Sequence, residues 1–190
     1  MRRIFIAAIS IGLLAPVIGQ AQTRATGQKP AEAPKAQPGA PDSTTETFDD
    51  WAMVCGVLPG GSSERFCEVD ATLTVRGQPG PVAKIAFASP AKDQPTRIVA
   101  LVPVNVSFHT AVRIDLDPGK PAVDLPFKSC VPAACIAEAE LTKDQVQNFR
   151  SPLQTGQLNF EDAAGKPASL QFSYRGLDKA LDAFFKRQEK

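Results

Sequence analysis

The chain has 190 residues, 21 basic and 20 acidic side chains and one histidine, for a formal charge of +1. Losing Arg2 and Arg3 with a leader brings the charge to −1. So even a balance argues against nucleic acid as a partner, which calls for a basic stripe, and gives no electrostatic pull toward an anionic bilayer.

The first 21 residues have the layout of a secretory leader. Arg2 and Arg3 form a positive start, Ile4 to Ile18 an apolar run, and Gly19-Gln20-Ala21 supplies small residues for cleavage after Ala21. The run is shorter than the roughly 20 residues a spanning helix needs, and no later stretch is long and apolar enough, so the mature chain is expected to carry no transmembrane segment. Residues 22–46 are rich in Pro, Ala and Gln and lack aromatic or large aliphatic side chains. Such a segment buries too little to offset its ordering entropy, so it reads as a disordered tether. Residues 47–190 remain as one domain with one core.

Trp51, Met53 and Cys55 alternate along a first strand. Cys67, Val69, Ala71, Leu73 and Val75 then share one face, with Glu68, Asp70, Thr72, Thr74 and Arg76 on the other, the pattern of a half-buried antiparallel strand. Val82–Ala88 reads as the next strand. Arg97–Phe108 reads as a strand buried on both faces and broken or bulged at Pro103. Val112, Ile114 and Leu116 alternate before a turn at Asp117-Pro118-Gly119-Lys120, and Val123, Leu125 and Phe127 read as one further strand. Another begins at Cys135. Thr142 and Gln145 form a capping box, with Leu141 and Val146 spaced as a hydrophobic staple, so a short helix is expected to start there and stop before Pro152. Leu158 and Phe160, then Leu170, Phe172 and Tyr174, form a hairpin. Leu177, Ala180, Leu181 and Phe184 have helical spacing, so the chain closes with an amphipathic helix. Roughly eight to ten short strands without long helices indicate an all-β sandwich.

An even number of cysteines in an exported chain implies disulfides, and four allow three connectivities. Local pairing, Cys55–Cys67 and Cys130–Cys135, is favoured because each pair brackets a short loop with Gly, Ser or Pro. The loop-closure model gives each bridge about 2–3 kcal/mol. Eleven and four intervening residues, with no C-x-x-C, do not suit zinc or a redox pair, and no cofactor motif is present. His109, near Ser107 and Thr110, lacks the turn that presents a nucleophilic serine, and Asp49, Asp50, Asp115 and Asp117 read as solvated carboxylates. Trp51 reads as a core residue packing beside a disulfide. The sequon Asn105-Val106-Ser107 falls in the strand expected to be buried. The first cysteine loop, Gly56, Val57, Leu58, Pro59, Gly60, Gly61, Ser62, Ser63, Glu64 and Arg65, is least constrained by packing and is the candidate interaction loop.

The ordered set Phe48-Asp49-Asp50-Trp51, Val54-Cys55, Cys67, Leu101-Val102-Pro103-Val104, Val112-Arg113-Ile114-Asp115, Leu125-Pro126-Phe127, Cys130, Cys135-Ile136-Ala137 and Gly176-Leu177-Asp178-Lys179-Ala180-Leu181 resembles the invasion-associated locus B family of exported bacterial proteins. It departs from that pattern at Leu177, where an aromatic often follows the glycine, and in lacking a glycine before Cys135. The resemblance implies an immunoglobulin-like β-sandwich that is periplasmic, surface-associated or secreted, and it supplies no catalytic residues. The expected function is therefore a non-enzymatic interaction module with a protein partner in the envelope or on a host surface. The alternatives are a carrier of a small apolar ligand, its pocket lined by Phe87, Phe108 or Phe127, and a hydrolase using His109.

Overall fold

Period-two burial sets the architecture. In the computed structural model, which describes residues 43–57, 65–89, 94–116, 120–150 and 154–188, eleven strands form two antiparallel sheets and two helices complete the cover. The expected leader, tether residues 22–42 and the tip of the Asp117–Lys120 turn lie outside the described residues.

The larger sheet has seven strands. Five form a meander: β1 (Ser43–Phe48), β2 (Trp51–Val57), β3 (Arg65–Leu73), β4 (Ala83–Ala88) and β5 (Arg97–Val102). The hairpin of β8 (Phe127–Val131) and β9 (Ala134–Glu140) joins with β9 against β5. The smaller sheet has the order β11 (Pro167–Ser173), β10 (Thr155–Glu161), β6 (Val112–Asp115), β7 (Val123–Leu125). Trp51, Met53, Val69, Ile85, Phe87, Ile98, Ala100 and Ala137 of the large sheet pack with Ile114, Leu125, Leu158 and Phe172 of the small one in a single core. Four strands cannot cover seven. Helix α2 (Leu177–Gln188) fills the gap, burying Leu177, Ala180, Leu181 and Phe184 and packing on β1, β2 and β3.

Helix α1 (Lys143–Asn148) begins with the expected capping box: Thr142 Oγ1 accepts from Gln145 N–H, and Gln145 Oε1 accepts from Thr142 N–H at 2.8 Å. Leu141 and Val146 are both buried, as the staple requires. Just past it, Phe149 is inserted edge-on against Phe87, with ring centroids 5.0 Å apart.

Three local expectations are corrected. Strand β5 ends at Val102 instead of running to Phe108, and its outward residues Val99 and Leu101 are only half-buried. Pro103 has no N–H to continue the ladder, and the chain must leave there to reach the second sheet. Only Val106 in the crossover returns to the core, bridging to Asp162, while Val104 is 53% exposed. Asn105 is therefore on an exposed loop rather than in a strand. Val123 to Phe127 is two strands, because Pro126 marks a change of sheet: β7 belongs to the small sheet and β8 to the large one. Ser43–Glu46, assigned to the tether from composition, is sheet, since β1 pairs with β2 along its whole length. Ser43–Thr47 is exposed, so no apolar alternation marked it.

Candidate functional site

The two cysteine pairs lie directly opposite each other in hairpins. Cys55 faces Cys67 across β2 and β3, and Cys130 faces Cys135 across β8 and β9; each pair has Cα atoms 4.0 Å apart and sulfurs at disulfide distance. Of the candidate interaction loop, Gly56 and Val57 belong to β2 and Arg65 to β3, whereas residues 58–64 lie outside the described residues. Val57 is 39% exposed at the mouth of that loop.

The Phe48–Trp51 motif serves as a latch. Asp49 and Asp50 form the two-residue turn between β1 and β2, with Asp49 at φ 52°, in the left-handed region that aspartate tolerates better than most residues. The turn docks on the segment joining β11 to α2. Trp51 Nε1–H donates to Ser173 O at 2.8 Å. Arg175 grips the Asp50 carboxylate through Nη2 at 2.6 Å and Nε at 3.2 Å. Gly176, at φ 88°, lies so close to Phe48 O that a Cβ there would collide with it. Sequence reasoning had Trp51 as core, and it is 1% exposed. It had Asp50 as a solvated carboxylate, and it missed the clamp because nothing local connects Asp50 with Arg175, 125 positions away.

The hydrogen bonds from Arg175, then the Ser173 hydroxyl, hold the Asp50 carboxyl below its ordinary value of 3.8, against a smaller burial cost. A lowered folded-state pKa means the stabilisation is present above the unfolded value and is lost as pH falls through the folded one. Asp50→Asn is therefore expected to lower the urea midpoint at pH 7, and the gap from the unsubstituted protein to close as acid protonates Asp50 in the folded state, below its ordinary value of 3.8. A gap independent of pH would contradict this origin.

Other charges form small surface networks, several of them partly buried. On the outer face of the large sheet, Lys84 bridges Glu68 at 2.5 Å and Asp70 at 3.0 Å, and Arg97 bridges Glu138 at 3.5 Å and Glu140 at 3.1 Å. Burial works against the Lys84 ammonium, but its two hydrogen-bonded carboxylates outweigh this and raise its pKa. Asp115 is held by Arg113 at 2.9 Å and by Asn159 at 2.8 Å. Arg150, just after α1, forms ion pairs with Asp178 and Asp182 of α2. Among the described residues, no cluster of three or more His, Cys, Asp or Glu side chains is placed to hold a metal ion, and no helix is long and apolar enough to cross a membrane.

The surface feature that stands apart is a groove where the β5–β6 crossover meets β8. Its cavity volume is about 590 Å³, and Phe108, His109, Thr110, Ala111, Pro126, Phe127, Lys128, Ser129 and Cys130 line it. Phe108 is 62% exposed, yet its ring is held edge-on to Phe127 with centroids 5.0 Å apart. His109 is exposed, and its backbone N–H donates weakly to Ser107 Oγ at 3.4 Å. The phenylalanines offered as lining for the alternative inter-sheet pocket, Phe87, Phe108 or Phe127, do not share one site. Phe87 is fully buried between Trp51 and Phe149, whereas Phe108 and Phe127 meet at the surface. A larger cavity of about 850 Å³ lies where α1, α2 and the segment leading into β5 meet.

Comparison with known proteins covers most of this framework. Among solved structures, the chain is similar to the crystal structure of invasion associated protein b from Bartonella henselae, with a TM-score of 0.65, 24% identity, and coverage of 77% of this chain and 97% of that one. At that identity the likeness speaks for the fold. No curated protein matches the chain. The model of the invasion associated locus B (IalB) protein family matches residues 51–184, from the latch tryptophan to the last buried phenylalanine of α2. The protein therefore belongs to the invasion associated locus B family.

Proposed function

We propose that this protein is a non-enzymatic interaction module of the bacterial cell envelope, working in the periplasm or at the cell surface with both cysteine pairs oxidised. The observation that carries this reading is the Phe108–Phe127 pair. An aromatic ring left 62% exposed, but fixed against a second ring, offers apolar contact area already ordered before binding. Lys128, His109 and Ser129 give the groove a polar rim, the usual anatomy of a protein contact site. The partner is a protein of the envelope or of a host surface, and the loop between Val57 and Arg65 is a second contact segment. The exported character of the family and the two hairpin cysteine pairs support an oxidising compartment.

A photo-crosslinking phenylalanine analogue at Phe108, irradiated in intact cells, tests this. A discrete protein adduct is expected at Phe108 and none at Lys179, which is exposed on α2. No adduct at Phe108, or equal labelling at both positions, would contradict the reading. An adduct of lipid mass would replace it with the ligand-carrier alternative.

A further inference from the structure

Sheet edges present unpaired backbone groups, and proteins ordinarily blunt them with short strands, proline, lysine or bulges. Three of the four edges here are blunted. Strand β7 has three residues, β11 opens with Pro167, and β8 carries Lys128, a register shift between Phe127 and Ser129, and the Cys130–Cys135 link. Strand β1 has none of these. It is Ser-Thr-Thr-Glu-Thr-Phe, six residues in unbroken register with β2, and Ser43–Thr47 is exposed.

The backbone phase of β1 follows from its neighbours. The 4.0 Å Cα separation of Cys55 and Cys67 marks a pair that exchanges no backbone hydrogen bonds, so the amide and carbonyl of Cys55 face β1 and its partner Thr44. Alternation then turns the groups of Ser43, Thr45 and Thr47 away from β2, toward the edge that no described strand covers.

We propose that this edge pairs antiparallel with β1 of a second copy of the chain, with Thr45 on the two-fold axis. In that register Thr45 meets Thr45, Ser43 meets Thr47, and every outward amide and carbonyl from 43 to 47 finds a partner. Glu46, the one charge in the strand, lies opposite Thr44 of the other copy. The register shifted by two, pairing Thr45 with Thr47, puts the two Glu46 carboxylates face to face, which like-charge repulsion disfavours. An isologous contact of this kind closes at two copies and turns two seven-stranded sheets into one continuous sheet. The contact is independent of the Phe108 groove.

Sedimentation velocity of the exported chain tests it. So small an interface is expected to give a Kd on the order of 0.1–1 mM. Thr45→Pro removes an N–H that β2 does not use, so it should abolish the dimer and leave the fold's circular dichroism unchanged. Thr45→Lys sets two ammonium groups across the axis and should weaken the dimer severalfold, with recovery in high salt. Thr45→Cys should give a covalent dimer on mild oxidation, whereas Glu46→Cys should not. A chain that stays monomeric to about 1 mM, a dimer indifferent to Thr45→Lys, or equal crosslinking at both positions would overturn the proposal.

Discussion

Trp51→Ala is expected to cost about 3–5 kcal/mol, a large part of the stability of a domain this size. The indole is fully enclosed, it leans on Phe87 at 5.8 Å between centroids, and Phe87 in turn holds Phe149. Truncation opens a cavity at one end of that row and also removes the donor to Ser173 O. Trp51→Phe separates the two contributions. It keeps most of the apolar contact and leaves the Ser173 carbonyl without its donor, a loss of about 1–3 kcal/mol. Urea denaturation followed by circular dichroism measures both. Equal losses for the two variants would mean that the indole N–H, rather than the ring, holds the latch.

Gly176→Ala comes second, and the protein supplies its own control. Gly77 and Gly176 have the same φ of 88°, but a Cβ at Gly77 meets nothing within 4 Å, whereas at Gly176 it runs into the carbonyl of Phe48. Gly77→Ala should therefore show only the left-handed backbone cost, about 1–2 kcal/mol. Gly176→Ala carries the same cost and in addition pushes the β1–β2 turn off its seat, loosening the Asp50–Arg175 and Trp51–Ser173 contacts together. Its total loss should exceed that of Gly77→Ala by about 2 kcal/mol or more. Matching losses at the two glycines would show that the turn moves aside freely and that the latch is slack.

What could be read from the chain divides by distance along it. The α1 cap was legible because Thr142, Gln145 and their staple lie within six positions and the capping hydrogen bonds run between them. The β2–β3 hairpin was legible because its cysteines sit at matching edges of one loop. The run Val123, Leu125, Phe127 misled because alternation fixes the face on which a side chain falls and says nothing of the sheet, and Pro126 changes the sheet without disturbing the period. Phe108 misled for a related reason. Its apolar neighbours suggested burial, but the crossover needs only Val106 as an anchor, so the remaining hydrophobics were free to face outward. Strand β1 left no mark in hydropathy, because β2's unmet backbone groups recruit it. The groove was half legible: its aromatic residues were named in advance and their side of the protein was not.

The latch also orders events in time. Trp51 waits for a carbonyl 122 positions later, and β2 and β3 wait for a helix that begins only at Leu177. The chain is ordered from its N-terminus, so the first hairpin precedes by 122 positions the carbonyl that anchors it. Until that helix docks, the first hairpin is uncovered on the side α2 occupies in the finished fold. The native state of this protein is sealed by a helix that follows all of its described strands, and its greatest exposure to proteases and chaperones is written into the order of its parts.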